Sequence, residues 1–161
     1  MELRFWRMED LMKILLAIDD SQFSKEAVAA VRARPWPPGS TVRVLSAVQN
    51  VVPPAAKLWY DAGGSLDQVR RQIGERAEDL TSMVADSLRT SGLTAEPAVR
   101  QGDPRSVIVD EAEDWSADLI IVGSRGQTGI TRWLLGSVAQ SVVTHAPCSV
   151  EVVRQKQVRE D

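Results

Sequence analysis

The sequence predicts an α/β protein with one doubly wound, five-stranded parallel sheet, in the order 3-2-1-4-5, and helices on both faces. Short apolar runs alternate with segments of helical spacing in the order βαβαβαβαβ. Right-handed crossovers between parallel strands put such helices on the two faces of a sheet. Residues 117–122, "ADLIIV", are apolar without interruption, which is typical of a central strand. A chain of 161 residues is also long enough to bury a core of its own.

The first two predicted strands flank a short helix. Residues 12–18 form an apolar run rich in branched side chains, which predicts a buried strand. Residues 21–34 have apolar positions at helical spacing, and Pro35 ends this pattern. Residues 41–48 predict the second strand, which the chain enters through a turn rich in proline and glycine.

The clearest helix follows an irregular stretch. Its apolar residues recur at intervals of three and four, which predicts a stripe that faces the core. Ser65 is expected to cap the start of this helix and Gly92 its end. The stripe consists of Leu66, Val69, Ile73, Ala77, Leu80, Val84 and Leu88. In the irregular stretch, Trp59 and Tyr60 either cover a bound base or cap the core, and the sequence leaves both interpretations open.

The second half of the chain supplies three strands and two helices. Residues 93–100 predict a strand, and Pro97 favours an edge position because proline lacks the donor that a ladder needs. A helix then begins with Asp103 as its N-cap and Pro104 in its first position. The remaining elements are the strand at 117–122, a helix over 136–146 and a last strand over 148–153.

Composition and charge narrow the classes of partner. A formal net charge of −3 lacks the basic footprint of a nucleic-acid binder, so no nucleic-acid partner is expected. The single cysteine, Cys148, excludes an intramolecular disulfide and a Cys-rich zinc site, and it is expected to be a small buried residue. The absence of a signal-peptide pattern and of an apolar run of about 20 residues predicts a soluble, cytoplasmic protein without a membrane partner. Residues 1–11 are expected to form a flexible extension, and 155–161 a tail, around a domain at 12–154.

Glycines cluster after the fourth predicted strand. Gly123 and Gly126 are separated by two residues, and nine more residues lead to Gly136 and Ser137. Ligands of open α/β sheets bind where the strand order reverses, which here lies between the strand ends at Asp19 and Gly123. Glycine lets backbone N–H groups approach an anion, and a helix N-terminus adds free donors. The pattern therefore predicts a phosphate site.

This spacing resembles the G-x2-G-x9-G-[ST] pattern of the nucleotide-binding members of the universal stress protein family, and all four positions match. The resemblance extends over roughly residues 12–154, through "ILLAIDDSQFSKEAV", "VRVLSAV", "GDP" and "HAPCSVEVV". It implies an ATP-binding stress-response or signalling protein in which the phosphates carry Mg²⁺ and the protein supplies no metal ligand. The implied nucleotide-binding residues are Asp19 and Gly123 at the ribose, Ala47 at the adenine, and Gly126, Gly136, Ser137 and Val138 at the phosphates. Asp20 stands where many relatives have glycine, and its carboxylate can either repel a phosphate or help a metal.

Structural roles compete with functional ones at several of these positions. The glycine loop can be a tight turn that packs against a neighbouring helix, and Asp19 can be a turn or cap acceptor. His145 lies in the last turn of a predicted helix, where the dipole favours it, and no nucleophile stands with it. No catalytic residue is therefore expected, and any ATP hydrolysis should be slow. A nucleotide-independent dimerisation module of the same fold and an ATP-dependent enzyme with a second substrate stay open as alternatives.

The last strand predicts a homodimer. In the predicted order this strand lies at the edge of the sheet, and it carries neither proline nor lysine to discourage pairing. Two copies can pair antiparallel through residues Cys148 to Val153 about a two-fold axis. The resemblance implies the same interface, because nucleotide-binding members of the family dimerise through this strand. The alternative is that residues 155–161 fold back over the edge and leave a monomer.

Overall fold

The computed structural model describes residues 11–49, 65–125 and 134–154. Within these ranges, strands and helices alternate as the sequence predicts. The strands are β1 (Lys13–Ala17), β2 (Thr41–Val48), β3 (Thr94–Gln101), β4 (Leu119–Gly123) and β5 (Ser149–Val153), and the helices are α1 (Gln22–Ala33), α2 (Leu66–Thr90), α3 (Pro104–Asp114) and α4 (Ser137–His145). Residues 1–10 and 155–161 lie outside the described residues, so the division into extension, domain and tail stays a prediction.

The five strands form one parallel sheet in the order β3-β2-β1-β4-β5, which confirms the predicted fold class and strand order. β1 lies at the centre, where Leu16 pairs with Val44 of β2 on one side and with Ile121 of β4 on the other. The chain crosses from one half of the sheet to the other between β3 and β4. The strand order therefore reverses between β1 and β4, and the C-terminal ends of these two strands border the expected crevice.

Two apolar layers hold the helices against the sheet. Successive side chains of a strand point to opposite faces, so Ile14 and Leu16 enter one layer and Leu15 and Ala17 the other. The first layer contains residues of α1 and α2, and the second contains residues of α3 and α4. The helical members of the two layers are Ala27, Val31, Ala85 and Leu88, and Ile108, Ala112, Ala139 and Val142. β1 is thus buried on both faces, which fixes the position of its end.

Helix ends follow the predicted capping residues in most cases. The carboxylate of Asp103 accepts a hydrogen bond from the N–H of Arg105 at the start of α3. The guanidinium of Arg105 also donates to this carboxylate and holds the pKa of Asp103 at about 2, below its usual range. Gly92 follows the end of α2 with a φ of +87°, a left-handed conformation that favours glycine. Ser65 occupies the N-cap position of α2, but its side chain makes no capping hydrogen bond. None of the helices in the described ranges is long and apolar enough to cross a membrane.

Candidate functional site

The end of β4 packs directly against the first turn of α1. A Cβ atom placed on Gly123 would lie 2.8 Å from both the carbonyl carbon and the carbonyl oxygen of Phe23. Real Cβ atoms essentially never approach other atoms so closely, so a side chain at this position would displace the helix. Gly123 therefore has a structural role, in which its missing side chain brings the residues after β1 and the residues after β4 to one place.

Asp19 lies in this place, two residues after β1, and its carboxylate is bound to the start of α1. Its Oδ1 accepts hydrogen bonds from the N–H of Ser21 (3.1 Å) and from the hydroxyl of Ser24 (2.7 Å). The N–H of Asp19 donates to the same hydroxyl (2.8 Å). Asp19 thus acts as a turn acceptor through Oδ1. Among the described residues, no hydrogen bond reaches Oδ2.

The backbone of β2 continues past the end of β1. The N–H of Thr41 donates to the carbonyl of Met12 (2.9 Å). Further along, the N–H of Ile18 donates to the carbonyl of Leu45 (2.8 Å). Odd-numbered residues of β2 therefore direct their backbone groups toward β1.

The ladder between β1 and β2 stops short of Ala47. Its next rung would join the N–H of Ala47 to the carbonyl of Ile18, and no such hydrogen bond is present within the described ranges. Since Ala47 is odd-numbered, its N–H and C=O point toward the space beyond β1. Ala47 thus offers one donor and one acceptor to the crevice.

The glycine loop closes on itself at its base. The N–H of Ser124, directly after β4, donates to the carbonyl of Val153 (2.8 Å). The carbonyl of Ser124 accepts from the N–H of Gly136 (2.8 Å), so the loop leaves and returns at adjacent points. Gly126 lies outside the described residues, as do all of residues 126–133, and its predicted phosphate contact stays a prediction.

The N-terminus of α4 follows this closed base. Gly136 is the N-cap residue and has no side chain with which to accept from the first turn. The next residues, Ser137 and Val138, begin the helix, and within the described ranges their N–H groups donate to no backbone carbonyl. By contrast, α1 is capped by Ser21 and α3 by Asp103. The start of α4 therefore presents free donors and the positive end of the helix dipole.

Charges of both signs border the crevice. Arg125 follows Ser124, and its guanidinium lies 5.6 Å from the centre of the Phe23 ring. The Nε of Arg125 also donates a long hydrogen bond to the carbonyl of Leu134 (3.4 Å). Asp20 is exposed beside Asp19. In the part of the chain that the structure describes, no three His, Cys, Asp or Glu side chains are grouped so as to hold a metal ion.

Several features of the site had only a weak signal in the sequence. Ser24 follows Asp19 at a distance of five residues, and a serine in the first turn of a helix reads as ordinary composition. Ser124 lies between Gly123 and Arg125, and no sequence pattern marks its backbone as the base of the loop. Leu134, where the chain returns from the loop, is a large apolar residue that is 68% exposed.

His145 and Cys148 make contacts that a purely structural role explains. The Nδ1 of His145 lies 2.9 Å from the carbonyl of Ser141 in the last turn of α4. Burial raises the pKa of the Cys148 thiol, and the nearby carboxylate of Asp118 raises it further. A raised pKa disfavours the thiolate, which is the reactive form of cysteine. Cys148 packs against the second apolar layer, but it is only partly buried, where the sequence predicts a buried residue.

Comparison with known proteins places the chain in a family. The model of the universal stress protein family matches residues 11–154. The "universal stress protein in QAH/OAS sulfhydrylase 3′ region" of Thermus aquaticus is 33% identical over 142 residues, which are 88% of this chain and 97% of that protein. The solved structure of hypothetical protein MJ0577 is 26% identical, with a TM-score of 0.76, and the match covers 91% of this chain and 97% of that one.

Two solved structures with nucleotides share the fold at lower identity. One is a universal stress protein family protein of Arabidopsis thaliana with AMP bound (18% identity, TM-score 0.66, 90% of this chain and 92% of that one). The other is a universal stress protein in complex with cAMP (21% identity, TM-score 0.59, 89% of this chain and 97% of that one). From the match of the family model and the identity to the Thermus protein, this chain belongs to the universal stress protein family.

Proposed function

We propose that this protein binds an adenine nucleotide, ATP with Mg²⁺ in the first instance, and acts in stress response or signalling through a conformation or assembly that the nucleotide stabilises. The observation that carries the proposal is the start of α4 beside the closed base of the glycine loop, where the N–H groups of Ser137 and Val138 have no partner among the described residues. The family members solved with AMP and with cAMP support adenosine as the rest of the ligand.

Each part of the nucleotide has a complementary group in the crevice. An adenine edge presents an amine donor beside a ring-nitrogen acceptor, which suits the C=O and N–H of Ala47, for which the described residues supply no partner across from β1. The ribose hydroxyls suit a carboxylate, and Oδ2 of Asp19 serves them next to the close approach at Gly123. In the proposed site, Ser137 and Val138 donate to phosphate. Gly136 contributes space, since its own N–H is bound to Ser124. Gly126 completes the phosphate group of residues by its place in the motif.

Magnesium enters the proposed site with the nucleotide. Mg²⁺ keeps several waters and is commonly held by substrate phosphates together with one or two carboxylates. The phosphates supply most of its ligands here, so the protein needs no dedicated cage. The role of the nucleotide is to stabilise a state of the protein, and any hydrolysis is expected to be slow.

Replacing Ser137 by proline tests the phosphate site. Proline at the first position of a helix removes one N–H that the helix does not use, and the extended backbone of Gly136 (ψ 158°) accepts a following proline. Ser137→Ala is the matched control, because it removes the hydroxyl and keeps the N–H. We expect Ser137→Pro to melt like the wild type without ligand but to bind ATP about tenfold more weakly, whereas Ser137→Ala keeps the larger part of the affinity. Equal affinities for ATP in Ser137→Pro and the wild type would contradict the assignment of these donors.

A nucleotide-independent dimerisation module of the same fold is the second candidate. The close approach of Gly123 to Phe23 favours it, because this glycine has a packing role that needs no ligand. The two functions differ in what the purified protein holds and in its thermal response. We expect adenine nucleotide in the supernatant of denatured protein, identified by mass, and a rise in melting temperature of about 5–10 °C at an ATP concentration of about 100 times Kd. An unchanged melting temperature at millimolar ATP would favour the second candidate.

We further propose a homodimer through β5, which is an edge strand. The N–H of Ser124 donates to the carbonyl of Val153, so odd-numbered residues of β5 direct their backbone groups toward β4. The backbone groups of Val150 and Val152 then point away from the sheet. A second copy can pair with them antiparallel about a two-fold axis. Residues 155–161, the alternative cover for this edge, lie outside the described residues.

A further inference from the structure

We infer that Ser24 is a positioning residue, which orients the carboxylate of Asp19 toward the ribose hydroxyls of the bound nucleotide. This role rests on the proposed function and adds to it a residue that touches no ligand. Ser24 is only 6% exposed and lies within α1, so its hydroxyl faces the protein.

The directions of the hydrogen bonds around Ser24 follow from its chemistry. Its hydroxyl lies 2.8 Å from the N–H of Asp19, which can only donate. The same hydroxyl lies 2.7 Å from Oδ1 of Asp19, and its single hydrogen must point there, because an ionised carboxylate only accepts. Ser24 therefore holds both the backbone and the side chain of Asp19 through one oxygen atom.

This double contact fixes which carboxylate oxygen is left for a ligand. Oδ1 accepts from the hydroxyl of Ser24 and from the N–H of Ser21. Two hydrogen bonds to one oxygen limit rotation of the carboxylate, so the other oxygen keeps a constant direction. Within the described residues Oδ2 has no hydrogen bond, and a vicinal diol could donate to it. Without Ser24, the carboxylate is free to turn, and it must be ordered again whenever a ribose binds.

A neighbouring serine provides a matched control. The hydroxyl of Ser21 accepts from the N–H of Ser24 (3.2 Å) and caps α1. Ser21 is 7% exposed, so both serines are buried at the same helix end. The side chain of Ser21 makes no hydrogen bond to the carboxylate, and its backbone N–H, which does, remains in Ser21→Ala. Both alanine variants remove a buried hydroxyl and its hydrogen bonds at the start of α1, but only Ser24→Ala removes a side-chain contact with the carboxylate of Asp19.

The experiment measures Kd for ATP and for 2′,3′-dideoxy-ATP, both with Mg²⁺, for the wild type, Ser24→Ala, Ser21→Ala and Asp19→Ala. We expect the wild type to prefer ATP by about 10- to 100-fold, as for hydrogen bonds to a charged group. Ser24→Ala should reduce this preference about tenfold and leave the affinity for the dideoxy nucleotide unchanged. Ser21→Ala should keep the full preference. Asp19→Ala should abolish it, and adding Ser24→Ala to Asp19→Ala should change the preference no further.

Other outcomes separate this inference from the proposed function. A wild-type protein that binds ATP, with an unchanged preference in Ser24→Ala, would overturn the positioning role and leave nucleotide binding intact. An equal weakening of both nucleotides in Ser24→Ala would also overturn it, since that result indicates only a damaged helix end. A wild type that binds neither nucleotide would overturn the proposed function, and the positioning role with it. If Ser24→Ala is too unstable to assay, Ser24→Cys offers a weak donor in similar space and is expected to lose part of the preference.

Discussion

Replacing Gly123 by alanine is expected to destabilise the protein in the absence of any nucleotide. The new Cβ would lie 2.8 Å from backbone atoms of Phe23, whereas ordinary contact begins at 3.4 Å, so the first turn of α1 must move by about 0.6 Å. Backbone atoms cannot rotate away as the end of a side chain could. Ala27 and Val31 hold α1 in the core, so the movement spreads into a packed layer. Overpacking of this kind costs about 1–3 kcal/mol.

The measurement is thermal unfolding of the ligand-free protein, followed by circular dichroism. For a domain of this length, 1 kcal/mol corresponds to about 2–4 °C, so the melting temperature should fall by about 2–12 °C. Gly74→Ala is the control, because a Cβ on Gly74 meets no atom within 4 Å. Alanine in a helix is favoured over glycine by up to about 1 kcal/mol, so this variant should melt slightly above the wild type.

The two variants therefore predict shifts of opposite sign from the same chemical change. If Gly123→Ala melts at or above the wild-type temperature while Gly74→Ala behaves as expected, the close approach to Phe23 does not limit the fold. The requirement for glycine at position 123 would then come from ligand binding and not from packing.

Four further predictions address the site and the edge strand. Gly136→Val should leave the ligand-free protein folded, since φ is −63°, but should abolish the rise in melting temperature with ATP. Asp19→Ala should weaken ATP binding by about 1–3 kcal/mol in a titration calorimeter, the value for a hydrogen bond to a charged group. Val152→Pro removes an outward-facing donor of β5, so light scattering should show a folded monomer where the wild type is a dimer; a variant that stays fully dimeric would exclude this interface. The hydrogen bond from Arg34 lowers the pKa of Glu151, so this carboxylate stabilises the fold above its ordinary pKa of 4.5 and less as the pH falls through its lowered value. Glu151→Gln should accordingly lower the free energy of unfolding in urea by no more than about 1 kcal/mol at pH 7, and this difference should shrink in acid.

Much of the fold could be predicted because its signals are local. Pro97 is an example, because this single residue predicts the edge position of its strand. The N–H of Gly102 donates to the carbonyl of Val48. Even-numbered residues of β3 therefore direct their backbone N–H and C=O groups toward β2, and odd-numbered residues direct theirs away from it. The missing N–H of Pro97 therefore lies on the open side of an edge strand, where no ladder bond is lost.

The packing of α2 was harder to predict, because it depends on which part of the helix reaches the sheet. The regular apolar stripe assigned equal weight to Leu66 and Leu88, but Leu88 is fully buried and Leu66 is only half-buried. Thr81 is fully buried as well, although it lies outside the stripe and is polar. Its hydroxyl donates to the carbonyl of Ala77 (2.9 Å), which satisfies the polar group within the helix. Sequence periodicity predicts which face of the helix is apolar, while tertiary contacts decide how deeply each residue of that face is buried.

The glycine motif has the same limitation at the site. The sequence motif groups Gly123 and Gly136 as ligand-binding residues, yet the two glycines have different structural roles. Gly123 admits the backbone of Phe23, and Gly136 closes the loop through its N–H and leaves α4 without a cap. Neither contact can be read from spacing, because each joins segments that are distant in the chain.

Asp19 shows why a structural and a functional interpretation of one residue need not exclude each other. The sequence left open whether this aspartate is a turn acceptor or a ligand for ribose, as if one choice removed the other. A carboxylate has two oxygens and several acceptor sites. The structure uses Oδ1 for the turn and for Ser24, and the described residues leave Oδ2 without a partner. The turn is then what gives the second oxygen a fixed direction, so the role of Asp19 as a turn acceptor prepares its proposed binding role.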